Sequence, residues 1–167
     1  PIPKFIDMVC AIKPDQVTLV PDAPDAITSN AGWDTVANRA FLQEVIQEFK
    51  QHGIRTSIFL DPDAAQVEAV VKTGTDRIEL YTQAYAEAYT LDPVKAIAPF
   101  VDAATKAQEV GLGLNAGHDL SLHNIAFFAQ QLPGLLEVSV GHALICESLY
   151  FGLENVINQY KAKLSTH

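Results

Sequence analysis

The chain has 167 residues, 49% of them hydrophobic and 19% charged, which suits a single domain over residues 1–167 with a substantial core. A net charge of −9 argues against nucleic acid or an anionic membrane surface as partner, yet leaves room for a small anionic substrate at a locally positive site. No apolar run is long enough to span a bilayer and no segment reads as a secretion signal. The two cysteines, Cys10 and Cys146, lie in apolar helical patterns and read as reduced core thiols of a cytoplasmic protein.

A helical pattern opens the chain, which begins Pro-Ile-Pro without Met, so a longer parent is expected. The first β-rich run, residues 17–20, leads into a polar loop over residues 23–34. Phe41, Val45 and Phe49 then recur at helical spacing, closed by His52-Gly53 with a basic residue and a glycine. After a run at residues 55–60, Asp61-Pro62-Asp63 starts a helix carrying Val67, Val70 and Val71 that ends at Gly74. Residues 77–81 form the third run. Asp92-Pro93 opens a helix reaching toward Gly111, in which Pro99 predicts a kink or a split. Residues 111–114 and 137–140 complete five strands, separated by a short helix at residues 124–131. A last helix, residues 147–164, presents Leu149, Leu153, Val156, Ile157, Tyr160 and Leu164 on one side.

A helix followed by five strand–helix units implies an α/β fold with parallel strands and right-handed crossovers. An open doubly wound sheet and part of a (β/α)8 barrel, the TIM-barrel type, both fit this order. A complete barrel needs eight strands, so the barrel reading implies missing N-terminal ones.

In either architecture chemistry belongs at the carboxyl ends of the strands. Glu79, between Ile78 and Leu80, points to the opposite face from both and shares its face with Arg77 and Tyr81. A structural ion pair with Arg77 competes there with a role in proton transfer or in stabilising a cation. His118 follows Gly117 at a strand end, where glycine allows a tight turn and the imidazole can face a pocket. Gly141 and His142 sit at the next strand end, ahead of a helix whose N-terminal N–H groups suit a phosphate; with Gly117 they form the expected phosphate cradle. His52 reads as a helix C-terminal cation, and Asp61 as an N-cap or a site residue. His123 reads as a cap or a site-lining group, Trp33 as a lid or an anchor, and His167 is terminal. No Cys/His spacing suggests a metal, and no glycine pattern suggests a nucleotide cofactor, so none is expected.

The ordered series Lys13-Pro14, Val-Thr-Leu-Val-Pro at 17–21, Thr28, Gly32-Trp33-Asp34, Ser-Ile-Phe-Leu-Asp at 57–61, Ile78-Glu79, Asn-Ala-Gly-His at 115–118, His123-Asn124 and Gly141-His142-Ala143 resembles the pyridoxine 5′-phosphate synthase family over essentially the whole chain. The resemblance implies a (β/α)8 barrel of which this chain holds strands four to eight. It implies a cofactor-free condensation of 1-deoxy-D-xylulose 5-phosphate with 3-amino-2-oxopropyl phosphate, giving pyridoxine 5′-phosphate, phosphate and water in a homo-oligomer. By resemblance His118 is the general acid and Glu79 the carboxylate that stabilises the transition state. Gly141 and His142 hold the aminoketone phosphate, and Thr28 contacts the deoxyxylulose phosphate. Asp119 stands at a substrate-binding position that is often Gly in relatives. A carboxylate there repels phosphate, so Asp119 is expected to turn away or to offer only backbone contacts. The family's early-strand bases have no counterpart in the chain, so as it stands it is expected to be inactive alone. Competing readings are another phosphate-binding barrel, of aldolase or phosphosugar type, and a non-catalytic phosphometabolite-binding remnant. An aldolase would want a Schiff-base lysine at a strand end, and no strand carries one.

Overall fold

The computed structural model describes residues 1–23 and 25–165; His167 lies outside them. Helix α1 (Pro3–Ile12) precedes strand β1 (Gln16–Leu19). Then come α2 (Arg39–Gln51), β2 (Arg55–Leu60), α3 (Ala64–Val70), β3 (Arg77–Tyr81), α4 (Gln83–Ala88) and α5 (Pro93–Glu109). The chain ends with β4 (Gly113–His118), α6 (Ile125–Gln131), β5 (Leu135–Val140), α7 (His142–Phe151) and α8 (Leu153–Leu164). The five strands are all parallel and lie in the order β1-β2-β3-β4-β5. A doubly wound sheet reverses direction at a switch point; this one never does, which leaves a partial barrel.

The two faces of the sheet differ in chemistry. On one, Val17, Leu19, Ile58, Leu60, Ile78, Leu80, Leu114 and Ala116 are buried and join the helices in a single apolar core. On the other, strand register aligns Phe59, Glu79, Asn115 and Glu137 in one row and Tyr81, Gly117 and Ser139 in the next. Strand parity alone would break these rows at β5. A register shift restores them: Leu114 pairs with Leu135 but Asn115 with Glu137, so Leu136 is the extra residue of a bulge.

Strand β1 (Gln16–Leu19) and strand β5 (Leu135–Val140) shift by one or two residues from expectation, and larger differences lie elsewhere. Strand β4 runs through Asn115-Ala116-Gly117-His118 rather than stopping at Leu114, because these residues continue the parallel ladder to Tyr81 and Val140. Pro99 does not split α5: it lies on the exposed side of a helix whose opposite face buries Ala96, Ile97, Phe100, Ala103, Ala104 and Ala107. The lost hydrogen bond therefore faces water. The expected final helix is two helices, parted at Gly152, whose φ of 80° ends α7. Of the anticipated stripe only Val156 and Tyr160 are fully buried, and Leu149 is 80% exposed.

Asp76, just before β3, ties α2 to β2. It accepts from the Thr56 N–H at 2.8 Å and hydroxyl at 2.9 Å, and pairs with Lys50 Nζ at 2.7 Å. Partial burial pushes its carboxyl up, but the Lys50 and Thr56 donors outweigh it and hold the carboxyl below its ordinary value. The charged form is therefore favoured by folding. Its contribution is fully present above the ordinary carboxylate range and is lost as pH falls through the lowered folded value. Asp76→Asn is expected to cost about 1 kcal/mol at neutral pH, discounted for exposure, with the deficit shrinking on acidification. Urea denaturation across pH checks this, and a pH-independent deficit would refute the linkage.

Candidate active site

The polar face of the sheet opens, at the carboxyl ends of the strands, into a cavity of about 630 Å³. It is lined by Thr18, Thr28, Glu79, His118, Ser139 and Gly141-His142, with Val20, Ser29, Phe59 and Val140 filling the wall. Five of the residues singled out from sequence thus converge: Thr28, Glu79, His118, Gly141 and His142. They come from four separate segments, brought together because every strand points the same way.

Glu79 projects from the middle of β3 and is 7% exposed. The ion pair with Arg77 that competed with this reading does not form among the described residues. Arg77, in the neighbouring row, instead binds Glu137 at 2.9 Å and Asn115 Oδ1 at 3.0 Å. Among the described residues Glu79 accepts one side-chain hydrogen bond, from Thr18 Oγ1 at 3.1 Å. Thr18 went unremarked in the sequence because a threonine in a strand is ordinary; its register opposite Ser57 places it on the polar face. A largely buried carboxylate with one neutral donor is poised to meet a positive charge in the cavity.

His118 ends β4 with φ of 95°, a left-handed conformation that a non-glycine residue adopts at a cost of about 1–3 kcal/mol. The expectation that Gly117 makes the turn is corrected. Gly117 is buried, and a Cβ on it would stand 2.5 Å from the Ser139 carbonyl oxygen, so glycine is required for the close approach of β4 and β5. Gly117 is not among the residues that line the cavity. The strained turn falls on His118 itself. Its Nε2 lies 2.7 Å from Thr28 Oγ1 and its Nδ1 2.9 Å from Asp119 Oδ2, while the Tyr81 ring meets it edge-on at 5.4 Å. Burial, reinforced by the charges of Asp119 and Asp61, pushes the Tyr81 phenol up, so it stays a neutral donor to the Ser29 carbonyl at 3.1 Å. Asp119 is not among the residues that line the cavity, and its carboxylate faces the imidazole.

Thr28 is held over the strand ends by a loop anchored further along. Trp33 donates through Nε1 to the Leu19 carbonyl at 3.0 Å, and its N–H to the Phe59 carbonyl at 2.9 Å, so it is an anchor and not a lid. The Gly32 N–H donates to Asp61 Oδ2 at 3.1 Å, and a Cβ on Gly32 would stand 2.2 Å from the Asp61 nitrogen, so no side chain fits there. Asp61 is therefore a loop anchor; the N-cap of α3 is Asp63. Gly141 is the N-cap of α7, no side chain among the described residues caps that helix, and Gly141 and His142 line the cavity at its start. Glu147 fixes α7 by accepting from the Leu122 N–H at 3.1 Å and from the Tyr160 hydroxyl at 2.6 Å.

Other expectations resolve elsewhere. His123 packs edge-on against Tyr89 at 5.2 Å and neither lines the cavity nor caps α6, whose N-cap is Asn124. His52 is the C-cap of α2. Cys146 is exposed rather than core, with Sγ 3.4 Å from His142 Nε2, because α7 buries none of its residues. Cys10 is partly buried; its ligand atom and those of Glu48 and His52 lie within 4.8 Å of one another on the outer helices, away from the cavity. No helix is long and apolar enough to cross a membrane among the described residues.

Comparison with known proteins fits this site to a family. The model of the family described as pyridoxal phosphate biosynthesis protein PdxJ matches residues 1–166. The chain belongs to that family. Among curated PdxJ-like relatives, a pyridoxine 5′-phosphate synthase of Flavobacterium johnsoniae is 64% identical over 160 residues, covering 96% of this chain and 68% of the relative. That of Parabacteroides distasonis is 59% identical over 166 residues, covering 99% and 70%, and that of Bacteroides fragilis 58% over 161 residues, covering 96% and 68%. The similarity runs along nearly the whole chain, which spans roughly two thirds of the length of these relatives. A solved structure described as native KDPGal superposes with a TM-score of 0.56 at 10% identity, covering 98% of this chain and 66% of that one, and bears on the fold alone.

Proposed function

We propose that this chain carries the condensing half of a pyridoxine 5′-phosphate synthase site, acting on 1-deoxy-D-xylulose 5-phosphate and 3-amino-2-oxopropyl phosphate. Family membership supports the ring-closing step of vitamin B6 synthesis. The convergence of His118, Glu79, Thr28, Gly141 and His142 on one cavity carries the assignment of the site. Cavities of this size commonly take small organic ligands. In the proposed reaction the amine and the ketose carbonyl form an imine, and later steps expel water and phosphate. His118 gives protons to departing oxygens, and the Glu79 carboxylate stabilises the cationic imine in a region screened from water. The open N-terminal turn of α7, at Gly141 and His142, receives the aminoketone phosphate through backbone N–H groups, and Thr28 contacts the ketose phosphate. This balances a doubly charged ligand locally despite the acidic protein.

In the same reading the chain supplies strands four to eight of a (β/α)8 barrel, in a cytoplasmic homo-oligomer. Ile145, Leu149, Tyr150 and Phe151 are exposed on α7, beside the edge strand β5 where the remaining strand–helix units of a full barrel would pack. An aldolase reading lacks support, since no lysine lines the cavity.

The decisive test supplies both substrates to the protein at the length of its relatives and follows pyridoxine 5′-phosphate by absorbance. Product from both substrates together, and none from either alone, is expected. Binding of both without product would instead favour the phosphometabolite-binding remnant.

A further inference from the structure

We infer that Asp119 is a positioning residue that acts through His118, and not a substrate contact; this rests on the reading of His118 as the acid. A histidine that delivers a proton from Nε2 needs its other nitrogen fixed, because the neutral ring can carry its proton on either one. Asp119 Oδ2, 2.9 Å from Nδ1, accepts only from an Nδ1–H. It thereby presents Nε2 to the cavity, where Thr28 Oγ1 waits at 2.7 Å.

The carboxylate is held in this role by its backbone. The Asp119 N–H donates to Thr82 Oγ1 at 3.0 Å, and that buried hydroxyl donates onward to the Gly117 carbonyl at 2.7 Å. On its other side the Asp119 carbonyl accepts from Asn124 Nδ2 at 3.4 Å, and the Asn124 carbonyl accepts from the buried Tyr85 hydroxyl at 2.8 Å. The residues on either side of the His118–Asp119 peptide are thus pinned to α4 and to the start of α6. The left-handed φ of His118 swings its imidazole so that one nitrogen meets Asp119 and the other the cavity. Asp119 itself does not line the cavity, so its charge reaches a bound phosphate only across the imidazole. This resolves how a carboxylate can stand where a glycine would otherwise serve an anion.

In the acid step the protonated ring gives its Nε2 proton to the departing hydroxyl as the C–O bond breaks with its electron pair, water leaves, and the nitrogen lone pair of the substrate takes up the positive charge as an iminium. The ring remains neutral as the Nδ1–H tautomer, and Asp119 stays a carboxylate throughout.

Two measurements on Asp119→Asn test this. The first is the ¹⁵N spectrum of the ring nitrogens without substrate, at alkaline pH where an ordinary imidazole is neutral. The wild type is expected to show the Nδ1–H tautomer, and Asp119→Asn a shift toward Nε2–H as the amide donates to Nδ1. The second is kinetics: kcat is expected to fall about 10- to 100-fold with KM for both substrates held within about twofold, and Asp119→Glu to recover part of the loss. An unchanged tautomer, or an unchanged kcat with a raised KM, would overturn the inference and return Asp119 to the substrate. The spectrum needs no turnover, so it decides the role of Asp119 even where the synthase reading itself fails for want of product. Circular dichroism of the variant confirms folding.

Discussion

Replacing His118 with Asn is expected to lower kcat about 10³-fold while leaving the protein folded and KM for each substrate nearly unchanged. Asn is the informative choice. It tolerates the left-handed backbone that this position adopts, so the strand end and its neighbours stay in place. Its amide can still meet Asp119, but it carries no proton that titrates near neutral pH. The loss therefore measures proton delivery and not collapse of the site. Steady-state rates with both substrates, beside a thermal melt, provide the check. A variant within tenfold of the wild-type rate would remove His118 from the chemistry and leave it as a strained strand terminus.

Glu79→Gln should follow with a fall in kcat of about 10²-fold, again with little change in KM. The substitution keeps the shape and keeps an oxygen to accept the hydrogen bond from Thr18, so only the charge is removed. Because Arg77 is engaged by Glu137 and Asn115, no buried cation is orphaned, and stability should hold or rise slightly in denaturant titrations. An unchanged rate with lost stability would make Glu79 a structural carboxylate after all.

How much of this was readable from residues alone depended on whether the signal was local. Strands 55–60 and 77–81 stood out as short β-rich runs and match β2 and β3 residue for residue. The rule that barrel chemistry gathers at strand carboxyl ends pointed to His118, Gly141 and His142, and the apolar neighbours of Glu79 made it stand out; all four line one cavity. It misjudged where β4 stops, since Asn115 and Gly117 look like a loop until their partners are known. Thr28 entered only by family resemblance, because its placement depends on contacts made by Gly32 and Trp33. Thr18 and Ser139 were invisible for a different reason. Small polar residues in a strand carry meaning only with register, and that of Ser139 hinges on the bulge at Leu136. The split at Gly152 was legible in principle, since a glycine stood in the helical pattern, but an apolar stripe continued across it.

The left-handed turn at His118 has an evolutionary consequence. Glycine is the residue its backbone would choose, and a glycine there would relax the strand end while deleting the imidazole. With His118 in its proposed role, selection for thermal robustness and selection for turnover pull in opposite directions at one codon. A library screened only for heat resistance should drift toward losing this histidine, whereas lineages that must make their own product keep a locally unfavourable backbone for as long as the reaction is needed.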